Sequence, residues 1–443
     1  MKQLTITLIL TLLPLMASAD RVCVDDIYYN IDTATKQAEV TKKPSGYYSG
    51  VIVLTEKFTY EHTEYNVTKI GYEAFSYCSR LTSITIPNSV TTIGSEAFYG
   101  CTALTSITIP NGVTTIESHA FMNCTRLSSI TIPNSVTTIG QWAFSYCSSL
   151  TSITIPPSVK TITGFNSCTS LKSITISDGV KAIESSAFSH CTALTSITIP
   201  PSVTTIGQWA FGNCTNLNTI TISDNVKIIG KYAFYGCSNL SSITIPNDVT
   251  TIEQFTFSGC SHLTSITIPS RVTNIEACAF EDCSSLTSVT IPNSVKFIRN
   301  RAFTGCVCLT NVTCLAEIVP NTDLYYFDNF ENATLYVPEC ALDDYKSTAP
   351  WNKFKEIVVY QPEGITNDIA QVETHTVMIQ SDGGLLNIHG AEDDTLINVY
   401  SVNGSHVGSA VSSNGHVSIN TSMRQGSIAI VEIGKKVVKV VLR

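Results

Sequence analysis

Charge is scarce in this chain. Asp, Glu, Lys and Arg make up 14% of its 443 residues, against about 25% in ordinary globular domains, so its backbone must be held in regular structure for the chain to stay in solution. Positive charge is scarcer still: 26 Lys and Arg face 35 Asp and Glu, a net charge of −9, with no basic cluster. That excludes the concentrated positive field which binding to a nucleic-acid backbone requires. Beyond the first residues there is no apolar run of the roughly 18 residues a membrane helix needs. Catalytic signatures are also missing, among them HExxH, GxSxG, a phosphate-cradling GxxxxGK[ST] and a DxDxDG calcium loop. The eight histidines are scattered. Acidic pairs at Asp25-Asp26, Asp343-Asp344 and Asp393-Asp394 are adjacent in sequence, so in extended chain their carboxylates point apart. Without CxxC pairs or a Cys/His cluster no metal centre is expected. The chain reads as a non-enzyme that needs no cofactor.

What is present is a period. Cysteines fall at 78, 101, 124, 147, 168, 191, 214, 237, 260, 283 and 306, each step 23 residues except one of 21. Phe stands three residues before each of them and Leu three after, from Phe75 and Leu81 to Phe303 and Leu309. The Leu-x-x-Ile-x-Ile that follows alternates apolar and polar, so it is a short strand with one buried face, ended by proline. The Ala-Phe-x-x-Cys stretch returns the chain as a short helix or a turn. One such coil buries too few apolar side chains to stand alone, so coils must stack. A period of 20 to 29 residues with this pattern is the signature of a leucine-rich-repeat solenoid with a parallel β-sheet. The short coil has lost two residues between Ile162 and Phe165, which predicts a local kink or a tighter return loop.

Equivalent cysteines in stacked coils lie about one strand spacing apart, beyond disulfide reach, and read as small buried fillers. Cys23, Cys278, Cys308, Cys314 and Cys340 stand outside the ladder; Cys308 or Cys314 is placed to pair with Cys340 in an oxidising compartment. At the start, Lys2, an apolar run from Leu4 to Met16 and Ala17-Ser18-Ala19 have the three parts of a secretory signal. A mature start at Asp20 and a secreted or outer-surface location are expected.

The unit IGYEAFSYCSRLTSITIP, Ile70 to Pro87, recurs to Pro292 and resembles the hallmark of the BspA-like leucine-rich-repeat family of bacterial surface proteins. DIYYNIDTATKQAEVT, from Asp26, is similar to the hairpin that caps these solenoids, and ATLYVPECALDDYKSTAPWNKFKEI, from Ala333, to the closing cap. VYSVNGSHV and the final IVEIGKKVVKVVLR resemble the C-terminal sorting domain of the type IX secretion route, departing from it at Ala429, where that family usually shows an aromatic. The expected layout is a signal peptide over 1–19, an N-terminal cap hairpin over 20–66, the solenoid over 67–315, a C-terminal cap over 316–360, a linker over 361–366 and a small all-β sandwich over 367–443. Turn pairs at Asn403-Gly404 and Asn414-Gly415 support the last. The family resemblance implies adhesion to host matrix proteins or other bacteria.

Two sets of side chains are candidates for contact with a partner. Ser83, Ser106, Ser129 and Ser152, beside Thr85, Thr108, Thr131 and Thr154, form two files on the exposed strand face. They either solvate a β-surface or hydrogen-bond an extended partner. Large side chains vary from coil to coil in the return segments, notably Trp142, Tyr146, Trp209, Tyr232 and Tyr235. These either pack between coils or anchor a protein or glycan. Extracellular proteins are the leading partner class, with surface glycans in nutrient capture or a structural envelope role as alternatives.

Overall fold

The computed structural model describes residues 20–323, 330–361, 378–382, 385–402, 404–421, 423, 427–434 and 436–441. The expected signal peptide and most of the expected linker lie outside them. The chain folds as two compact units, one ending at Leu217 and the other starting at Asn218, and both are built of parallel-strand coils with little helix.

In the first unit, residues 20–41 form three antiparallel strands, Asp20–Val24, Ile27–Asp32 and Gln37–Thr41. The third hands over to a parallel partner, Thr63–Ile70. Each coil then supplies two strands. The front strand is the Ser-Ile-Thr stretch, for example Ser106–Thr108, paired in parallel with Ser129–Thr131. The rear strand is only two residues long, as in Thr92–Ile93, Thr115–Ile116 and Thr138–Ile139, again parallel and in register. Alternation buries Ile107 and Ile130 and exposes the Ser and Thr on either side, as a strand period of two requires. Val113, Ile116, Ala120, Phe121, Cys124 and Leu127 close the interior of one coil with no exposed surface.

The return segments are turns. Backbone N–H groups in them alternate between two acceptors. Ala97, Tyr99 and Cys101 donate to the carbonyl three residues back, while Glu96, Phe98 and Gly100 donate to Ser118, Ala120 and Met122 of the next coil at 3.1, 2.7 and 2.9 Å. A helix would direct every N–H along its own axis; here half of them bond the next coil. The geometry needs a left-handed residue at two places per coil, five residues and one residue before the cysteine. Non-glycine residues adopt it repeatedly, including Glu73 (φ 52°) with Tyr77 (φ 57°) and His119 (φ 59°) with Asn123 (φ 62°).

Phenylalanines stack down the core, Phe98 on Phe121 at 5.0 Å and 3°, Phe121 on Phe144 at 5.2 Å and 3°. Each cysteine does more than fill space, because its thiol donates to the phenylalanine carbonyl of the coil before: Cys124 Sγ to Phe98 O at 3.1 Å, Cys147 Sγ to Phe121 O at 3.2 Å, Cys168 Sγ to Phe144 O at 3.2 Å. The same carbonyl accepts its own coil's cysteine N–H, as Phe98 O does from Cys101. At the short fifth coil the ring planes tilt, to 11° for Phe144 on Phe165 and 20° for Phe165 on Phe188, yet the front and rear strands stay in register across it. The lost residues shorten the return loop, and the rear sheet is interrupted just before them, between Thr138–Ile139 and Thr161–Ile162.

The second unit repeats the scheme. Front strands Ser265–Thr267, Ser288–Ile291, Asn311–Cys314, Thr334–Val337 and Glu356–Val359 pair in parallel, with rear strands Thr251–Ile252, Asn274–Ile275, Phe297–Ile298 and Asn321–Thr322 behind them. Leu342–Ser347 is the only α-helix among the described residues. It seats Tyr345 edge-on to Trp351 at 5.2 Å, both wholly buried. The Trp351 indole donates to Pro320 O at 3.2 Å, and the Tyr345 hydroxyl to Ala316 O at 3.0 Å and to Cys314 Sγ. Cys314 is thus buried in a polar contact of its own, and all sixteen cysteines remain thiols. From Met378 the strands are antiparallel, in one sheet of three and one of four. Leu386, Ile388, Ile397, Val399, Val417, Val431 and Ala429 form a shared core. Asn414 (φ 52°) and Gly415 (φ 72°) make the expected tight turn; Asn403 lies outside the described residues.

Burial pushes the ladder thiols up, to about 12 for Cys168, Cys214 and Cys260 against an ordinary 9.0. In the unfolded chain they ionise near that ordinary value, so between pH 9 and about 12 the unfolded state holds fewer protons and stability falls as pH rises. Denaturation midpoints are therefore expected to be flat up to about pH 9 and then to drop, by about 1.4 kcal/mol per pH unit for each such thiol. A pH series of urea melts checks this. In the native chain a thiol reagent should label exposed Cys23, Cys308 and Cys340 well before any ladder cysteine.

Candidate binding site on the coil surface

The front face brings together the hydroxyl files. Ser83, Thr85, Ser106, Thr108, Ser129, Thr131, Ser152 and Thr154 are all exposed. Register places Ser106 beside Ser129 and Thr108 beside Thr131, so like hydroxyls repeat at one strand spacing. Between the first two coils they border a groove of about 470 Å³, closed on one side by Asn88 and Asn111. Those asparagines, which follow Pro87 and Pro110, were not singled out by the sequence; the recurrence of Asn after Ile-Pro at Asn134, Asn247 and Asn293 was the available signal. Beyond Ser83 and Thr85 the files continue as Val51 and Val53, in register and 71% and 66% exposed.

Other hydroxyl files are already engaged. Thr91, Thr114 and Thr137 donate to the equivalent carbonyl one coil back, each at 3.3 Å, as do Ser128 and Thr151 where the front strand begins. Among the described residues the eight front-face hydroxyls have no such partner. Stacking therefore uses some hydroxyl files and leaves these two open.

The aromatic candidates sit largely at the left-handed positions of the return face: Trp142 (φ 62°), Tyr146 (φ 60°), Trp209 (φ 58°) and Tyr232 (φ 59°). An L residue held there costs about 1–2 kcal/mol, and its side chain projects from a fixed backbone. The structure separates them by exposure. Tyr232 stacks on Phe255 at 4.7 Å and meets Tyr235 edge-on at 5.9 Å, and both tyrosines are half-buried. Trp209 is half-buried over Gly212, where a Cβ would lie 2.5 Å from its ring. Trp142 and Tyr146 remain exposed, Trp142 with His119 edge-on at 5.7 Å.

A second hollow, of about 350 Å³, lies where the N-terminal strands meet the first coil, and Lys42, Lys43, Tyr47 and Tyr77 border it. Its charges are paired. Lys43 bonds Asp26 and lies over the Tyr48 ring, and Lys42 bonds Glu73, holding that carboxyl below the usual range. Among the described residues no group of three or more His, Cys, Asp or Glu is placed to hold a metal, and no helix is long and apolar enough to cross a membrane.

Residues 68–191, 163–287 and 273–349 match the BspA type leucine rich repeat region, in six copies. Among solved structures, the chain is similar to a leucine-rich repeat protein from Bacteroides ovatus, with 28% identity over 76% of this chain and 100% of that one and a TM-score of 0.53. It is also similar to a leucine rich cell surface protein from Faecalibacterium prausnitzii, with 30% identity over 67% and 94% of the two chains and a TM-score of 0.42. No curated protein matches it.

The two kinds of hydroxyl predict two kinds of mutant. Thr114→Val and Thr137→Val remove a bond between coils and should each lower stability by about 0.5–1.5 kcal/mol, whereas Thr108→Val and Thr131→Val should stay within about 0.5 kcal/mol of the parent. Urea unfolding of the four variants measures the contrast.

Proposed function

Since the chain belongs to the BspA-type leucine-rich-repeat family, we propose that it is an exported, non-enzymatic scaffold whose front face binds an extended protein segment on a host or bacterial surface. In this reading residues 1–19 direct export, 20–66 and 316–360 close the ends of the coils in 67–315, and 367–443 serves as a sorting module at the cell surface.

The observation that carries the reading is the division of labour among hydroxyls. Files that could have been engaged between coils are left exposed on the front strands, repeating in register, with Asn88 and Asn111 along the same groove. Such a row offers donors and acceptors all along the face, which suits the many polar backbone groups of an extended peptide. Each contact is weak. A row of them on one partner multiplies into useful avidity. Little charge lies on the face, so binding should depend only mildly on ionic strength.

The test is saturable binding of the full chain to an array of extracellular-matrix and bacterial surface proteins, beside a protein of matched charge. Capture by at least one protein is expected, largely unchanged by moderate salt. The triple variant Thr85→Lys, Thr108→Lys, Thr131→Lys, which crowds the face with like charge, should abolish it. Absence of capture by every protein, or capture untouched by the triple variant, overturns the reading.

A further inference from the structure

The one coil that breaks the period also breaks the return face. The Phe144 N–H bonds Gly164 O where Phe121 N–H bonds Ala143 O, so Gly164 stands in the alanine's place and the two lost residues are the counterparts of Gln141 and Trp142. Gly164 (φ 84°) lets the shortened backbone close up; a Cβ there would lie 2.6 Å from Ala143 N. The outward file of left-handed residues therefore reads His119, Trp142, nothing, Ser186. Trp142 has a ring on one side and a gap one coil wide on the other.

Two further observations meet at this gap. Coil 4 is the coil whose two left-handed positions both carry large aromatics, Trp142 at 39% and Tyr146 at 46% exposure. The Tyr146 N–H bonds Asn166 O at 2.9 Å, which sets the tyrosine against the short coil.

The ligand chemistry follows from the walls. His119, Trp142, Tyr146, Asn166 and Ser186 carry no fixed charge, which disfavours an anion or a cation. An exposed indole favours a flat C–H surface, and the exposed phenol of Tyr146 on the same coil, which both donates and accepts, favours a hydroxyl-bearing edge. A sugar ring has both. We propose that the notch beside Trp142 is a carbohydrate-binding site that takes one neutral pyranose residue, stacked on the indole with its hydroxyls toward the Tyr146 phenol. This site is distinct from the front-face hydroxyl files in place and in ligand.

The experiment titrates the full chain with methyl glycosides of glucose, galactose, mannose and N-acetylglucosamine, following indole fluorescence and calorimetry. Saturable binding of at least one glycoside in the millimolar range is expected. Trp142→Ala should weaken it by about tenfold or more, about 1.4 kcal/mol, while Trp142→Phe retains part of it and Trp209→Ala leaves it unchanged. Inserting Gly-Ser between Ile162 and Thr163 restores the period, refills the gap and should remove binding, with circular dichroism reporting that the fold is kept; should that variant not fold, the Trp142 pair decides. No saturable binding by any glycoside, or parent-like binding by Trp142→Ala, overturns the proposal. Protein capture by the front face is read separately. Capture without glycoside binding defeats only the sugar site, and glycoside binding without capture defeats only the protein-binding reading.

Discussion

The phenylalanine carbonyl inside each coil is the constraint from which the rest of the structure proceeds. It accepts the cysteine N–H of its own coil and the cysteine thiol of the next, as Phe98 O does from Cys101 and Cys124. To present that carbonyl to both, the backbone must alternate its N–H groups between local and inter-coil acceptors, and this alternation forces two left-handed residues into every complete return segment. Strain of about 1–2 kcal/mol at each such residue is offset by the bonds that reach the neighbouring coil. The buried ring stack then fixes the spacing, near 5 Å from Phe75 through Phe144.

That arrangement divides the coil surface by role. Positions that serve stacking in the core, such as Phe, Cys and Leu, have little freedom to vary. Left-handed positions face outward and tolerate Glu, His, Trp, Tyr, Ser or Arg, since the backbone conformation there is dictated by the inter-coil bonds whatever the side chain. Variation concentrates at those positions, on a scaffold that does not move when they change. The front face behaves in the opposite way: its Ser and Thr are nearly constant although no partner among the described residues requires them, so their constancy calls for an explanation outside the coil, in solvent or in a bound partner.

Much of the fold was legible because the period is strict. Cysteine spacing located the coils, and Leu-x-x-Ile-x-Ile identified the front strand. The rear strand was not read, because Thr115–Ile116 is two residues long, too short for an alternation of two to register. Whether the return was helical or a turn was left open, and Ala-Phe-x-x-Cys gives no sign of the choice; it is made by hydrogen bonds to a neighbouring coil, a non-local interaction. The cysteine was read as a filler for the same reason, since its acceptor lies 26 residues away. Of the candidate side chains, the sequence grouped Trp142 with Trp209 and Tyr232 without distinction. What separates them is the neighbouring coil: Phe255 beside Tyr232, Gly212 under Trp209 and a deletion next to Trp142.

A repeat averages its contacts, and a surface made only of equal coils binds equally everywhere along it. Selectivity for a compact ligand requires a place where the translation fails. In this chain the failure is two residues long and sits beside the most exposed tryptophan candidate. It leaves the strands that flank it in register, with the rear sheet interrupted just before it, while tilting the phenylalanine stack by up to 20°. Shortening a strand or the Phe-x-x-Cys-x-x-Leu stretch would have removed a strand residue or a core side chain and cost several kcal/mol of packing. The outward loop is a stretch whose loss the stack absorbs, so a solenoid of this construction can make room for a discrete site at a return segment.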